Sequence, residues 1–319
     1  MQVFRFRLPL RRPIKIGSLT LTHREGLVLH QNGIWSEASP LPGFSPETLA
    51  DVMLELSEPN LDDGPIRSPS LRFAVDSLRP LPINRSTLTD RIPVNALLQG
   101  TPSEIKTKAA SVASEGFCSV KLKVGRLPVE DDIRLVRDVR DALSSPSINI
   151  RLDANRAWDL ETAVRFANAT ADCHVQYIEE PLRDASKLET FHDETGTRYA
   201  LDETLQEGVS LDEFPHAAAL VVKPTILGGR ERITALAATG KPLVFSACYE
   251  SGIGVGQIAR LAAEFSPDQA AGLDTYDWLA DDILRDRLPF GGGMLAVPQS
   301  ADVTTERLKT EHLQEIRHA

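Results

Sequence analysis

Residues 118–125, CSVKLKVG, set two lysines, Lys121 and Lys123, two positions apart inside an apolar run. Side chains of a β-strand alternate between its faces, so both ammonium groups leave the same side of one strand. That side must be a polar cavity or water.

Outward from this strand the same texture recurs. From Ile92 onward, short apolar runs alternate with amphipathic helices at intervals of about 20–30 residues, the length of one strand–helix unit. The strand candidates are PVNALL (93–98), CSVKLKV (118–124), INIRLDA (148–154), VQYIEEP (175–181), RYALDE (198–203), AALVVKP (218–224), PLVFSA (242–247) and AAGLDT (270–275). Between them lie helical patterns such as SEIKTKAASVASEG, EDDIRLVRDVRDAL, ETAVRFANATA, GRERITALAAT and GVGQIARLAAEF. In the second of these, Ile133, Val136, Val139 and Leu143 form the apolar stripe. Such alternation implies parallel strands, and the α/β pattern fits a (β/α)7β-type TIM barrel better than an open sheet.

The first ninety or so residues read differently. Phe4, Phe6 and Leu8 alternate with Arg5 and Arg7 as in a strand, and HREGLVLHQNGIWSEASPLPGF holds two β-rich runs joined by an Asn-Gly turn. PETLADVMLELSE and SPSLRFAVDSLRPL read as helices. The expected organisation is an α+β capping domain over 1–91, a barrel carrying the active site over 92–284, and a Gly- and Pro-rich segment over 285–319 that returns to the cap. Within that segment FGGG (290–293) reads as a flexible connection, whereas LGGR and SGIGVG read as tight turns into helices, without the spacing of a phosphate loop.

Composition narrows the function. Hydrophobic residues at 42% and charged ones at 25% are ordinary for a globular protein, and a net charge of −10 without a basic run argues against nucleic acid. Three scattered cysteines make neither a disulfide framework nor a Cys-x-x-Cys metal site. With no signal peptide and no run of membrane-span length, the expectation is a cytoplasmic protein without a membrane partner. The seven histidines show no ligand spacing, and His174 and His192 fall where surface placement is the rule.

Active sites of parallel barrels lie at the carboxyl ends of the strands. Those ends carry Lys121 and Lys123, then Asp153, Glu179, Asp202 and Lys223. Three carboxylates converging on one mouth repel unless a cation neutralises them, and oxygen ligands without His or Cys favour Mg²⁺, with Mn²⁺ as the substitute ion. Lysines beside such an ion suit removal of a proton next to a carboxylate, because the dianion formed needs concentrated positive charge. A lysine acts as base only when neutral, and Lys121 is the expected neighbour that favours that form of Lys123. Arg151 shares the strand face of Asp153 and either meets a substrate charge or makes a salt bridge inside the barrel.

The ordered set KLK, LDAN, IEEP, LDE and VKP resembles the enolase superfamily, in the muconate-lactonizing-enzyme-like subgroup with a Lys-x-Lys motif and a second catalytic lysine, over nearly the whole chain. The resemblance implies Asp153, Glu179 and Asp202 as Mg²⁺ ligands, Glu180 as a supporting residue, and Lys123 and Lys223 facing each other across the substrate. Lys121, Arg151, Asn155, Ser246 and Asp274 are the remaining substrate-binding or supporting candidates. WSEASPLPGFSPETL, SACYESGIG and GLDTYDW are similar to segments of o-succinylbenzoate synthases, which dehydrate 2-succinyl-6-hydroxy-2,4-cyclohexadiene-1-carboxylate in menaquinone and phylloquinone biosynthesis. That family implies a syn elimination in which Lys123 removes the α-proton and returns it to the departing hydroxyl, while Lys223 is a fixed cation beside the forming ring. Two departures stand out: ACY replaces a more Ser-rich segment, and WSEAS a GEAAP-like one.

The competing expectations are an N-acyl amino acid racemase, a dipeptide epimerase or a muconate-type cycloisomerase of the same superfamily. From another class, the rival is a non-catalytic barrel that binds a carboxylate. Dipeptide epimerases carry an Asp-x-Asp on the eighth strand, where this chain has Asp274-Thr275-Tyr276. The expected partner is a small-molecule carboxylate, and the expected assembly a monomer or small homo-oligomer. Ile16 to Thr20 and Pro40 to Phe44 are the candidate lid loops.

Overall fold

A computed structural model describes residues 1–58, 65–79, 89–298 and 303–316. Residues 80–81 of the second expected helix and residues 299–302 and 317–319 of the segment expected to return to the cap lie outside the described residues.

The chain opens with β1 (Gln2–Ile16), β2 (Leu19–Gln31) and β3 (Ile34–Ala38), an antiparallel meander. The alternation in β1 buries Phe6 and Leu8 on one face with Phe4 half-buried beside them, and Val3 is buried on the other. Two helices follow, α1 (Leu49–Leu56) and α2 (Pro69–Ser77). Thr48 starts α1 with a capping box, accepting from the Asp51 N–H while its own N–H donates to the Asp51 carboxylate at 2.8 Å. Both helices pack on the sheet through Val52, Leu56, Leu71 and Ala74.

After β4 (Arg91–Pro93) comes the repeating part: β5 (Ala96–Leu98), α3 (Pro102–Ser111), β6 (Ser119–Lys123), α4 (Val129–Ala142), β7 (Asn149–Asp153), α5 (Leu160–Ala169), β8 (Val175–Glu179), α6 (Leu188–Thr195), β9 (Tyr199–Leu201), α7 (Glu203–Gln206), β10 (Ala217–Val222), α8 (Pro224–Leu227), α9 (Arg230–Ala237), β11 (Leu243–Phe245) and α10 (Gly252–Phe265). The strands β5 to β11 form one parallel sheet in sequence order. The eighth segment is shorter than a strand. Ala271 and Gly272 bridge singly to Val94 and Ser246, with the Ala271 N–H donating to Pro93 O at 2.9 Å and the Gly272 N–H to Phe245 O at 2.8 Å, so four residues close the barrel. A Cβ at Gly272 would stand 2.9 Å from Ser246 Oγ, which is why the closing residue has no side chain.

Outward-facing Val120, Leu122, Ile150, Leu152 and Ile178 join the helices in one large core, to which α4 contributes Ile133, Val136 and Val139, with Leu143 just past its end. Inward-facing Tyr177, Ala200, Ala219, Val221 and Val244 fill the barrel below its mouth. Among the described residues no helix is long and apolar enough to cross a membrane.

The expected flexible FGGG is an ordered hairpin. Phe290 and Gly291 form β12, paired with β13 (Met294–Ala296), which also pairs with β4. Gly292 and Gly293 take φ of +61° and +65°, the left-handed pair that a two-residue hairpin turn requires. SGIGVG also departs from expectation, running inside α10 rather than before it. A Cβ at Gly254 would lie 2.7 Å from the Glu250 side chain and 2.9 Å from Glu37 Oε2, so these glycines permit a close approach of the cap.

That approach is fixed by polar groups. Buried Glu37 of β3 accepts from the Ser251 N–H at 3.1 Å, the Gly254 N–H at 3.0 Å and the hydroxyls of Ser251 and Ser39. Burial pushes its carboxyl up to about 7. Buried Arg24 donates to Ser39 O, Pro40 O and Tyr249 O, tying a cap loop to a barrel loop. Finally β14 (Leu313–Glu315) pairs with the outer edge of β1. Lys309 and His312 both bind Asp281 just ahead of it.

Candidate active site

The parallel register aligns the chemistry. Lys123 pairs with Asp153 across β6 and β7, and Asp153 with Glu179 across β7 and β8. Asp202 and Lys223 follow the ends of β9 and β10. The result is one row of charged side chains at the carboxyl end of the barrel.

Lys121 Nζ donates to Glu179 Oε1 and Oε2 at 2.8 and 2.7 Å and lies 3.0 Å from Asp153 Oδ2. Lys123 Nζ donates to Asp153 Oδ2 at 2.9 Å and to Asn155 Oδ1 at 2.6 Å. Lys223 Nζ donates to Asp202 Oδ2. The three acids are almost wholly buried, whereas the Lys123 side chain, 25% exposed against 13% for Lys121 and 12% for Lys223, opens most to the cavity. Burial drives the Lys121 ammonium down, but Asp153 and Glu179 more than reverse that and hold it well above the ordinary lysine value. The closest partners of Lys121 are thus the acids. Burial, and then the Asp153 charge, push Glu179 up to about 8.

Among the described residues no three acid, imidazole or thiol groups close round one point at ligand distance, because ammonium groups stand between the acids. The donor set still fits a hard divalent ion. It is all oxygen, it is buried, and one cation already touches both Asp153 and Glu179. Glu203 adds a buried Oε2 with no hydrogen-bond partner among the described residues, on the wall of the same cavity.

Glu180, with backbone φ of +42°, turns away from the cavity. It accepts from the Asp202 N–H, the Thr204 N–H and the Thr204 hydroxyl, each at 2.8 Å, and from Arg156 Nε at 3.0 Å. Glu180 therefore fixes the strand end that carries Asp202. Glu180→Ala is expected to lower unfolding free energy by about 2–4 kcal/mol, since it leaves the buried N–H groups of Asp202 and Thr204 unpaired and takes from Arg156 one of its two carboxylates, Glu207 remaining. Urea denaturation measures this, and a loss under 1 kcal/mol would refute the clamp.

Arg151 makes neither expected contact. Its guanidinium lies below the site over the Tyr177 ring at 5.5 Å, donating to Gln176 Oε1 at 2.7 Å and Ala270 O at 2.6 Å, and it does not line the cavity. Asn155 does line it, in a left-handed conformation with φ of +45°, and bridges Lys123 to Glu203 through Nδ2 at 3.2 Å. Ser246 and Asp274 also line the cavity, Ser246 donating to Gly272 O at 3.3 Å. Asp274 is engaged already, accepting from the Leu97 N–H at 2.8 Å and from Lys108 Nζ at 3.4 Å. His174 is exposed, and His192 stacks on His216 away from the cavity.

The cavity measures about 790 Å³, and both expected lid loops contribute to its wall through Ile16, Gly17, Leu41 and Phe44. The Phe44 ring lies 4.7 Å from Lys223 Nζ, a cation–π contact between two segments far apart in the chain. Arg126, Glu203, Tyr249 and Trp278 are further lining residues that sequence reasoning missed.

Comparison with known proteins adds four findings. Residues 104–301 match the family model described as "Enolase C-terminal domain-like". The chain is 31% identical over 308 residues to the o-succinylbenzoate synthase of Haemophilus influenzae, covering 89% of this chain and 92% of that one. Among solved structures it resembles the o-succinylbenzoate synthase of Thermosynechococcus elongatus, determined with Mg in the active site, with a TM-score of 0.72, 25% identity and 89% and 95% of the two chains covered. It also resembles the L-Ala-D/L-Glu epimerase of Bacillus subtilis, with a TM-score of 0.78, 19% identity and 93% and 95% covered, a likeness of fold.

Proposed function

We infer the reaction from the premise that this chain belongs to the enolase superfamily, as the match over residues 104–301 and the 31% identity over 308 residues require. The proposed activity is that of a Mg²⁺-dependent o-succinylbenzoate synthase, a lyase that dehydrates 2-succinyl-6-hydroxy-2,4-cyclohexadiene-1-carboxylate. The proposed setting is menaquinone or phylloquinone biosynthesis in the cytoplasm. One observation carries the reading: Lys123 and Lys223 both line a cavity whose floor holds Asp153 and, beneath it, Glu179 and Asp202.

Asp153, Glu179 and Asp202 would hold the divalent ion, which when bound supplies the positive charge that an enediolate needs. The neutral Nζ of Lys123 takes the α-proton of the substrate. Its side chain is the most open of the three lysines, and Asn155 and Asp153 fix its direction. The carbon–oxygen bond to the ring hydroxyl then breaks, and the Lys123 ammonium returns its proton to the leaving group as water. Lys123 ends as it began, and the ring is aromatic. Lys223, tied to Asp202 and covered by Phe44, stays charged and adds a fixed cation at the opposite wall. Burial lowers the Lys223 ammonium, but Asp202 outweighs burial and holds it above the ordinary lysine value. In this mechanism Lys223 contributes charge and no proton, which distinguishes it from the two-sided exchange of a racemase.

Asp274 supports the same choice against a dipeptide epimerase. Its carboxylate is engaged by the Leu97 N–H and Lys108, and no second acid follows two residues later to receive a substrate ammonium.

The test is spectrophotometric. Given the cyclohexadiene substrate and Mg²⁺, the protein is expected to remove the diene absorbance and yield o-succinylbenzoate. Protein that binds Mg²⁺ yet leaves the diene intact would sink the proposal.

A further inference from the structure

Five cationic side chains line the cavity: Lys15, Lys121, Lys123, Arg126 and Lys223. The three on the floor are committed to Asp153, Glu179 and Asp202. Among the described residues, neither Lys15 nor Arg126 has a carboxylate within ion-pair distance. Arg126 lies three residues past Lys123, where the chain is pinned. The Gly125 N–H donates to Asp132 Oδ2 at 2.7 Å, and Gly125 has φ of +77°, where a Cβ would meet the Ala157 Cβ at 2.4 Å. The turn thus fixes where Arg126 leaves the strand, at the rim of the cavity.

Tyr249 comes from another loop of the same rim. Its φ of +63° is unusual for a bulky residue, and three contacts hold it there. Its carbonyl accepts from Arg24 Nε at 3.2 Å, its ring meets Trp278 edge-on at 6.1 Å, and its side chain packs beside Leu41 and Cys248. No hydrogen bond to its hydroxyl is present among the described residues. Burial pushes the phenol up, and Arg126 is among the charges that pull it back, so the two groups are within electrostatic reach.

We propose that Arg126 and Tyr249 form a second anion subsite, which takes the terminal carboxylate of a succinyl-length arm while the first carboxylate of the ligand lies at the lysine-and-acid floor. A guanidinium and a hydroxyl on the wall of one cavity offer fork-shaped donors and a further O–H, the combination that suits a carboxylate. The inference rests on the proposed reaction for the identity of the arm. It makes the site selective for dicarboxylates and assigns the selectivity to residues remote from the proton transfer.

The test is calorimetric and uses the Mg²⁺-loaded full chain with two ligands, o-succinylbenzoate and 2-butanoylbenzoate, which differ in the terminal carboxylate. Arg126→Met is expected to weaken o-succinylbenzoate about 10- to 100-fold and to leave 2-butanoylbenzoate within about twofold, the range for one charge-assisted contact. Tyr249→Phe is expected to give a smaller loss, about three- to tenfold, on the dicarboxylate alone, and Arg126→Lys an intermediate one. Equal losses on both ligands, or none on either, would overturn the subsite. Should the wild-type protein bind neither benzoate, the dehydration reading fails. The same comparison on N-succinyl and N-butanoyl amino acids then decides the subsite by itself, and indifference of Arg126→Met to the arm carboxylate overturns it.

Discussion

Lys123→Ala is expected to reduce turnover of the cyclohexadiene substrate by about 10⁴-fold, the upper range for loss of one general acid–base group, because a single side chain serves as base and then as acid. Substrate affinity is expected to change far less, since Lys123 sits beside the floor acids rather than holding an anion by itself. Lys223→Ala is expected to have a smaller effect, since that residue contributes charge and no proton in this mechanism. The contrast separates the reactions. A racemase that exchanges protons on both faces of one carbon loses its activity with either lysine, so equal and near-complete losses in both variants would argue for that alternative. A Lys123→Ala protein with turnover within tenfold of wild type would remove the mechanism altogether. Measuring o-succinylbenzoate affinity of each variant guards against a folding artefact.

Removal of divalent metal is the second large effect. A chelator is expected to lower turnover by at least about 10³-fold, the scale on which fixed charge stabilises a developing oxyanion, and added Mg²⁺ is expected to restore it. Glu179→Gln is expected to abolish the calorimetric signal of Mg²⁺ binding, whereas Glu203→Gln, at a wall position outside the three floor acids, is expected to weaken it less. Undiminished turnover in metal-stripped protein would leave Lys121 and Lys223 as the sole charge stabilisers and refute the metal reading.

Much of this site could be read from the chain because strands alternate. The alternation that puts Lys121 and Lys123 on one face of β6 also puts Arg151 and Asp153 on one face of β7, and parallel register lines them up. The alternation gives the face and leaves the depth open. Two residues along a strand is about 6–7 Å, which drops Arg151 from the mouth into the barrel floor, where a glutamine and a backbone carbonyl meet it. Contacts that join distant segments left no local trace. Phe44 over Lys223, Arg156 on Glu180, and Arg126 within reach of Tyr249 each depend on two loops from different parts of the chain. The FGGG hairpin was misread for the opposite reason: two glycines suit a flexible linker and a tight left-handed turn equally well, and the pairing of β13 with β4 decides between them.

The pairing of β14 with the outer edge of β1 bears on the order in which the chain is made. Residues 2–16 leave the ribosome before every other part of the fold, yet the strand that covers their outer edge follows only after the whole barrel. At usual elongation rates the delay is on the order of 15–60 s. Throughout it β1 is an open edge, the form of strand most exposed to pairing with another chain. Arg5 and Arg7, which share the single carboxylate of Glu25 on the neighbouring β2, keep net positive charge on that strand during the wait. The nascent chain thus carries its own guard against aggregation, and neutral replacements at Arg5 and Arg7 would be felt in the yield of folded protein before they were felt in the stability of the finished one.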